Sequence, residues 1–247
     1  MWRLLRYRDT RTHRVPEGTR VYAIGDVHGR ADLLLQLLAL IDSDLLTRPT
    51  ARAVQVFLGD YIDRGPWSRQ VIDIILERAR HHELILLKGN HESYLSQFLR
   101  MPSVLASWRQ VGGFETLLSY GVVPQLNAGA EELQRMAAAL AEQLVDSHKA
   151  FFDRLRVSYS CGSYFFVHAG VRPGIPLERQ KEQDALWIRE EFLLCEENFD
   201  KMIVHGHTPV REAEYHRNRI NIDTGAYATG KLTCLVLEND EAAVFST

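Results

Sequence analysis

The sequence contains little cysteine, no long apolar run and no large excess of charge of either sign. The three cysteines are widely spaced and include no Cys-X-X-Cys pair: Cys161, Cys195 and Cys234. This spacing argues against a disulfide framework and against a zinc–thiolate site, and it favours a reducing cytoplasm. We therefore interpret the three thiols as ordinary packed or surface residues.

The longest apolar stretch runs from Leu33 to Ile41 and is interrupted by Gln36, whereas a membrane-spanning helix needs about 18 apolar residues. The formal net charge of −3 gives no general reason to expect nucleic acid as a partner. With 46% hydrophobic residues, the chain can bury a full core. We expect one large α/β domain over residues 1–247, without a membrane span.

Residues 1–19 form a basic arm. Arginine occurs six times in the first twenty residues, against only Asp9 and Glu17. No apolar stretch of about 7–15 residues follows the charges, so the arm is not typical of a signal peptide. It could contact an anionic partner, but a solvated edge strand or a loose terminus is the favoured interpretation.

What the sequence does contain is three short polar blocks, each directly after an apolar run. They combine carboxylates, imidazoles or an amide with glycines and occupy residues 25–29, 59–65 and 89–92. Asp26 and Asp60 are 34 residues apart, and Asn90 follows 30 residues later. Because a strand–helix–strand unit takes roughly 30 residues, each block is expected at the end of a parallel strand. Hard-metal ligands converging at one sheet edge indicate a metal-dependent hydrolase.

Apolar periodicity predicts the elements around these blocks. We expect strands at residues 21–24, 53–58 and 84–87 and helices at 32–44 and 67–80. This alternation predicts a parallel sheet.

The pattern changes after residue 100. Residues 101–128 look irregular, residues 130–156 look helical, and the whole insertion at 101–156 could cap the site. A helix packed outside the sheet is the favoured alternative. Strands dominate later, at residues 163–167, 202–204, 220–222, 232–237 and 243–245.

The polar blocks offer ligands for metal ions. Carboxylates and neutral imidazoles without a thiolate favour a hard or borderline divalent ion such as Mn²⁺, Fe²⁺ or Zn²⁺. Two more histidine segments follow strand-like runs, at residues 166–170 and 204–209. The resulting six or seven ligands suit two ions, which at ~3.5–4 Å apart can aim a shared hydroxide at phosphorus. We expect Asp60 to bridge both ions.

Two further side chains suit phosphate chemistry. Arg64 follows Asp60 by four residues in a turn closed by glycine and proline, and its guanidinium can clamp a phosphate through two hydrogen bonds. His91 beside Asp63 would be a suitable acid for a leaving alkoxide.

These motifs carry a clear resemblance to the metallophosphoesterases, and within them to the phosphoprotein phosphatase family. Residues 25–29, 59–65 and 89–92 match the three signature motifs of that family without a gap. Residues 168–171 and 206–209 resemble its later metal motifs in the form used by small bacterial and phage enzymes. The resemblance covers residues 20–236 and implies an α/β calcineurin-like fold, a central β-sandwich flanked by helices.

The resemblance also implies a dinuclear site at the strand ends. One ion would be held by Asp26, His28 and Asp60. The other would be held by Asp60, Asn90, His168 and His207. Mn²⁺ is the expected ion, with iron or zinc as alternatives.

The resemblance assigns the substrate contacts as well. Phosphate would be bound by Arg64, Asn90 and His91, with His91 as the general acid oriented by Asp63. Residues 186–189 are similar to a segment that supplies a second phosphate-binding arginine, here Arg189.

Two nearby side chains are left outside this set. His207 fits the late motif, so we expect His205 to lie behind the ligands or to serve as a backup ligand, rather than to be a primary ligand. Tyr227 is assigned no role, because residues 222–227 are only loosely similar to the late tyrosine segment of the large eukaryotic enzymes.

The first hypothesis for function is hydrolysis of phosphoserine or phosphothreonine in a protein or peptide. The alternative is a dinucleoside polyphosphate hydrolase of the diadenosine tetraphosphate type, which shares the fold and most motifs. Such hydrolases typically lack the aspartate before the arginine, so Asp63 favours the phosphoprotein. A third hypothesis, an inactive phosphoprotein-binding module, predicts the loss of a ligand or of the acid, and none is missing.

Overall fold

The computed structural model describes residues 13–247. Its strands are β1 (Thr19–Ile24), β2 (Arg52–Phe57), β3 (Glu83–Leu86), β4 (Ser158–Cys161), β5 (Tyr164–Val167), β6 (Met202–His205), β7 (Glu214–Tyr215), β8 (Arg219–Asn221), β9 (Thr233–Glu238) and β10 (Glu241–Ser246). Its α-helices are α1 (Ala31–Thr47), α2 (Ser68–Arg78), α3 (Asn90–Phe98), α4 (Leu105–Trp108), α5 (Gly113–Ser119), α6 (Ala130–Gln143), α7 (Asp146–Asp153), α8 (Glu182–Trp187), α9 (Glu190–Leu193) and α10 (Ala226–Thr229).

The strands form two five-stranded sheets. The first has the order β10-β9-β1-β2-β3, with β1, β2 and β3 parallel. The predicted parallel sheet is thus correct for these three strands and incomplete beyond them. Strand β9 pairs antiparallel with β1, and β10 pairs antiparallel with β9, as the short connection between these last two strands requires.

The second sheet has the order β4-β5-β6-β8-β7. Strands β5, β6 and β8 run parallel, with antiparallel β4 and β7 at the two edges. The predictions from residue 157 onwards included neither edge strand. Strand β7 has two residues and β4 only four, with a largely half-exposed pattern, so neither leaves a strong apolar signal.

Strand β1 lies between two hydrophobic layers, and all six of its residues are buried. Successive side chains of a strand point to opposite faces. Val21 and Ala23 therefore pack in the core between the sheets, which includes Phe166 of β5. Tyr22 and Ile24 pack on the helical side, in the core that includes α1 and α2. The architecture is a β-sandwich flanked by helices.

The segment at residues 101–156 is more helical than its first part predicted. Residues 101–128 contain α4, α5 and two short 3₁₀ turns rather than irregular chain. Residues 130–156 form α6 and α7 instead of one helical stretch, because the backbone is extended at Leu144 and Val145. The buried residues of α6 pack into the helical core outside the sheets.

The predicted basic arm lies largely outside the described residues. Within them, Val15 is buried and its backbone N–H donates to the carbonyl of Asn239 at 2.9 Å, which ties this end of the chain to β9–β10. The three cysteines are free thiols. Among residues 13–247, no helix combines the length and the apolar character that crossing a membrane would require.

Candidate active site

The polar blocks lie at the carboxyl ends of strands from both sheets. The first sheet positions the loops after β1 and β2 and the start of α3, and the second positions the loops after β5 and β6. The residues they bring to one edge of the sandwich are Asp26, His28, Asp60, Asp63, Arg64, Asn90, His91, His168 and His207. Every one of these was predicted from the sequence.

Five of these residues occupy the left-handed backbone region, which disfavours residues other than glycine: His28, Asp60, Asp63, Arg64 and His207. Such conformations cost free energy and persist only where the surrounding structure enforces them. Here the turns interlock, since the backbone N–H of His28 donates to the carbonyl of Asp60 at 2.8 Å. A Cβ atom on Gly65 would collide with the His28 carbonyl. Glycine at this position therefore permits the close approach of the two turns.

Glu92 is a site residue that sequence reasoning did not single out. Its buried carboxylate accepts hydrogen bonds from the backbone N–H groups of Gly89 (2.9 Å), Asp60 (3.0 Å) and Tyr61 (2.9 Å). It therefore holds the start of α3 against the loop after β2. The available signal was the glutamate three residues after Gly89, the spacing of a capping box.

Two groups of side chains could each hold a metal ion, with their ligand atoms within 4.8 Å of one another. One group is His28, Asp60 and His91, and the other is Asp60, His168 and His207. Asp60 belongs to both, because its Oδ2 is 3.4 Å from His28 Nε2 and its Oδ1 is 3.4 Å from His168 Nε2. Asp60 thus presents one carboxylate oxygen to each group.

Backbone carbonyls orient two of these histidines. The Nδ1–H of His28 donates to Ile62 at 2.9 Å, and that of His168 donates to Leu58 at 2.9 Å. Each ring therefore presents the lone pair of Nε2 to the site, as metal-binding histidines do. Burial lowers the pKa of both rings, which keeps them neutral and able to act as ligands.

Two ring nitrogens and one amide oxygen converge at the second group. His207 Nδ1 is 2.9 Å from Asn90 Oδ1 and 3.2 Å from His168 Nε2, which in turn is 2.9 Å from Asn90 Oδ1. Because His168 donates from Nδ1, its neutral ring carries a lone pair on Nε2, and the amide oxygen of Asn90 can only accept. These two atoms are therefore neighbouring acceptors with no hydrogen between them. Burial lowers the pKa of His207 to about 2, so its ring is neutral. A cation among these atoms would satisfy them.

Asp26 supplies a second indication of missing positive charge. Its Oδ1 is buried without a hydrogen-bond partner among the described residues, and its Oδ2 accepts from the backbone N–H of His207 at 3.0 Å. Burial raises the pKa of Asp26, and the nearby carboxylates of Asp223 and Asp60 raise it further. Divalent cations would relieve this repulsion, so the residues present fit a metal pair.

His91 differs from the other histidines. Its Nδ1 is 2.6 Å from Asp63 Oδ2, and its Nε2 is turned toward the site, 3.7 Å from Asp60 Oδ2. Burial alone would lower the pKa of His91, but the carboxylates of Asp60 and Asp63 outweigh it and raise the pKa overall. The ring is therefore arranged to carry a proton at Nε2.

Arginines and aromatic rings border the site. The guanidinium of Arg64 lies 4.4 Å from the ring centre of Tyr227, which also meets the ring of His28 edge-on at 5.5 Å. Arg189 reaches the other side, with a terminal nitrogen 3.5 Å from the carbonyl oxygen of His207. The structure thus brings Tyr227, which the sequence left without a role, to the edge of the site.

A second aromatic pair lies next to the histidines. The rings of Tyr94 and Trp187 are 5.6 Å apart and roughly perpendicular. Trp187 is 6.4 Å from the ring of His207, and Tyr94 is 6.5 Å from that of His91. Both side chains are only half-buried.

His205 lies behind the cluster. It is fully buried against Phe192, with its ring 5.0 Å from that ring, and belongs to neither metal-binding group. Its Nδ1 lies 3.1 Å from the carbonyl oxygen of Gly206, and burial lowers its pKa to about 3.

Residues 19–240 match the family model for calcineurin-like phosphoesterases. The bis(5'-nucleosyl)-tetraphosphatase PrpE [asymmetrical] of Anoxybacillus flavithermus is 29% identical over 225 residues, 86% of this chain and 88% of that protein. Its counterpart from Bacillus cereus strain Q1 is 30% identical over 233 residues, again 86% and 88% of the two chains.

Solved structures share the fold at lower identity. A proposed diadenosine tetraphosphatase superposes with a TM-score of 0.61 and 18% identity, over 96% of this chain and 98% of that one. A protein serine/threonine phosphatase from Saccharomyces cerevisiae gives 0.56 and 15%, over 93% and 79%. The predicted calcineurin-like fold is confirmed.

The family model spans nearly all of the described chain, and it covers every residue that the strand ends bring to this edge of the sandwich. The curated relatives match 86% of this chain and are themselves named as tetraphosphatases. The chain belongs to the calcineurin-like phosphoesterase family and is a metal-dependent phosphoester hydrolase.

Proposed function

We propose that this enzyme hydrolyses dinucleoside tetraphosphates, cutting the phosphate bridge asymmetrically into a nucleoside monophosphate and a nucleoside triphosphate. The observation that carries the proposal is the match to curated relatives of that name over 86% of the chain. It favours the alternative of the two enzyme hypotheses drawn from the sequence.

In this proposal, one divalent ion would be held by Asp26, His28 and Asp60, and a second by Asp60, Asn90, His168 and His207. When bound, the ions would polarise the phosphoryl oxygens and lower the pKa of water. Mn²⁺ remains the expected ion, with iron or zinc as alternatives.

The protein side chains then bind the phosphate chain and move one proton. Arg64 and Arg189 flank the cluster and would clamp phosphate oxygens, with Asn90 and His91 between them. A water molecule gives up one proton to solvent, and its oxygen forms a bond to phosphorus while the opposite phosphorus–oxygen bond breaks. The proton on His91 Nε2 passes to the leaving oxygen, and Asp63 holds the ring in place.

The aromatic border supports a nucleotide substrate. The ring centre of Tyr94 lies 6.5 Å from that of His91, and the ring centre of Trp187 lies 6.4 Å from that of His207. Both aromatic side chains are half-buried. Aromatic rings bind nucleobases by stacking, worth roughly 1–3 kcal/mol per base. A substrate with a base near the reacting phosphate would gain this contact, whereas a bare phosphate ester would not.

Product analysis tests the proposal. Mn²⁺-loaded enzyme incubated with diadenosine tetraphosphate should release AMP and ATP in equal amounts, separated by chromatography, and Asp60→Asn should release neither. Two molecules of ADP as product would contradict asymmetric cleavage. A higher kcat/KM for a phosphothreonine peptide than for the dinucleotide would contradict the substrate class.

A protein phosphatase is the second candidate, favoured by the 2.6 Å contact between His91 and Asp63. General acid catalysis helps most when the leaving oxygen is strongly basic, as the alkoxide of serine or threonine is. A leaving polyphosphate is a much weaker base and needs less help. The peptide arm of the same assay separates the two candidates.

A further inference from the structure

The carboxylate of Asp63 is held by three side chains from different parts of the chain. Its Oδ2 accepts hydrogen bonds from His91 Nδ1 at 2.6 Å and from Trp108 Nε1 at 2.7 Å. Its Oδ1 accepts from Thr116 Oγ1 at 2.5 Å. Asp63, Trp108 and Thr116 have no solvent exposure. Each oxygen of this buried carboxylate is thus pinned by donors other than the histidine.

Residues 108–116 also contact the backbone of Asp63 and Arg64. The N–H of Asp63 donates to Ser68 Oγ at 3.0 Å and to Thr116 Oγ1 at 2.9 Å. The N–H of Arg64 donates to the carbonyl of Gly112 at 3.2 Å, and a Cβ atom on Gly112 would collide with that nitrogen. Residues 108–116 therefore close tightly on two residues that both have positive φ.

Trp108 contacts both the Asp63 carboxylate and the helix that carries His91. Its ring is 5.4 Å from Phe98, which lies at the end of α3, the helix that begins with Asn90 and His91. The indole therefore packs against the helix that carries His91 while its N–H fixes the carboxylate that His91 binds.

We propose that Trp108 and Thr116 are positioning residues for proton donation by His91. Both donate to Asp63, and neither belongs to the two metal-binding groups. By fixing the Asp63 carboxylate, they keep its Oδ2 in line with His91 Nδ1 and hence keep Nε2 aimed at the leaving oxygen. The inference rests on the proposed role of His91 as acid, and it holds for esters and for anhydrides.

A purely structural role would lower stability without changing which leaving groups are tolerated. Loss of acid positioning has a different signature, since a basic leaving oxygen needs the proton more than a weakly basic one. Phenyl phosphate and p-nitrophenyl phosphate present nearly the same shape with leaving groups of high and low basicity. The ratio of their kcat values therefore reports proton donation.

The experiment compares Trp108→Phe and Thr116→Val with Tyr120→Phe, each measured as Mn²⁺-loaded full-length protein. Tyr120→Phe is the matched control because it deletes one buried hydroxyl, bonded to His148 at 2.8 Å, just after α5. We expect Trp108→Phe to lower kcat about tenfold more on phenyl than on p-nitrophenyl phosphate, with KM unchanged, the effect of one lost hydrogen bond. Tyr120→Phe should keep the wild-type ratio.

A second measurement does not depend on turnover. In metal-free protein, the Nδ1–H of His91 in its short bond to Asp63 should give a far-downfield proton NMR signal that is absent from His91→Asn. Trp108→Phe and Thr116→Val should shift or broaden this signal, and Tyr120→Phe should leave it in place.

The outcomes separate this inference from the role of His91. If His91→Asn changes the substrate ratio and neither positioning variant does, the inference is wrong and the acid stands. If His91→Asn leaves the ratio unchanged, the acid assignment fails and the inference fails with it. If Trp108→Phe does not fold, the inference is decided by Thr116→Val alone, through its ratio of kcat values on phenyl and p-nitrophenyl phosphate.

Discussion

Glu92 fixes the position of Asp60 through its backbone: the Oε2 of Glu92 accepts the N–H of Asp60 at 3.0 Å. The same oxygen accepts the N–H of Gly89 at 2.9 Å. Glu92 thereby links the ends of β2 and β3. The carboxylate of Asp60, which belongs to both metal-binding groups, is thus positioned by Glu92, which belongs to neither.

Glu92→Gln should therefore destabilise the protein and weaken metal binding. An amide NH₂ in place of one carboxylate oxygen would face backbone N–H donors, leaving buried groups unpaired at a cost of about 1–3 kcal/mol. Thermal unfolding of the metal-free variant and calorimetric titration with Mn²⁺ measure the two effects. The control is Glu196→Gln, at an exposed position. Equal stability of the two variants would contradict the anchoring role.

The adjacent histidines His205 and His207 should differ in metal content. His207→Asn removes Nδ1 from the group with Asn90 and should lower bound Mn²⁺ from two ions per chain to one. His205→Asn should keep two ions, because its ring packs on Phe192 outside both groups. Elemental analysis of the purified proteins decides, and loss of an ion from the His205 variant would make that residue a ligand.

Arg64→Lys should impair phosphate binding although the positive charge is kept. A lysine cannot form two parallel hydrogen bonds to phosphate, and it stacks less well on the ring of Tyr227, now 4.4 Å from the guanidinium. We expect free phosphate to inhibit the variant about tenfold more weakly, the loss of one charged hydrogen bond. An unchanged inhibition constant would refute the clamp.

Trp187→Leu should select against the dinucleotide. Removing the ring deletes a stacking surface, so kcat/KM for diadenosine tetraphosphate should fall by roughly 5–100-fold. Activity on p-nitrophenyl phosphate should change little, because that substrate has no base. Trp187→Phe keeps a ring and is the matched control. Equal losses on both substrates would place Trp187 outside base binding.

Acid should selectively remove the stability contributed by Asp44, which is remote from the metal-binding groups. Burial alone would raise the pKa of Asp44, but hydrogen bonds from Arg48 and Tyr22 and the charge of Arg20 lower it overall. A lowered carboxyl pKa stabilises the fold above the unfolded-state pKa of about 3.9, and this contribution disappears as the pH falls through the folded-state pKa.

Asp44→Asn should therefore lower the free energy of unfolding by roughly 1–3 kcal/mol at neutral pH and by clearly less at pH 3. Urea denaturation of both proteins at the two pH values gives the difference. A difference in the free energy of unfolding that is larger at pH 3 than at neutral pH would contradict the lowered pKa of Asp44.

The site residues that could be predicted from the sequence are those that lie in short motifs directly after strands. Asp26, Asp60 and Asn90 each follow a strand, and parallel β1, β2 and β3 carry them to one edge. The contact of Asp63 with His91 was also anticipated, because both occur in short motifs at strand ends. The β-sandwich itself followed from the resemblance rather than from periodicity.

The unpredicted residues are those whose role depends on distant packing. Trp108 and Thr116 lie 45 and 53 residues from Asp63 and read as ordinary core or helix residues in an irregular stretch. Tyr94 and Trp187 come together only when α3 and α8 pack near each other. No local pattern records such contacts.

The division of the ligands between two sheets has a consequence for a chain still being synthesised. Asp26, Asp60 and Asn90 emerge early on the first sheet, while His168 and His207 arrive only with the second. A nascent chain that ends before residue 207 lacks His207 of the second metal-binding group, and it also lacks β9, which pairs with β1 in the first sheet. We therefore expect the hydrolytic centre to be complete only once both sheets have formed.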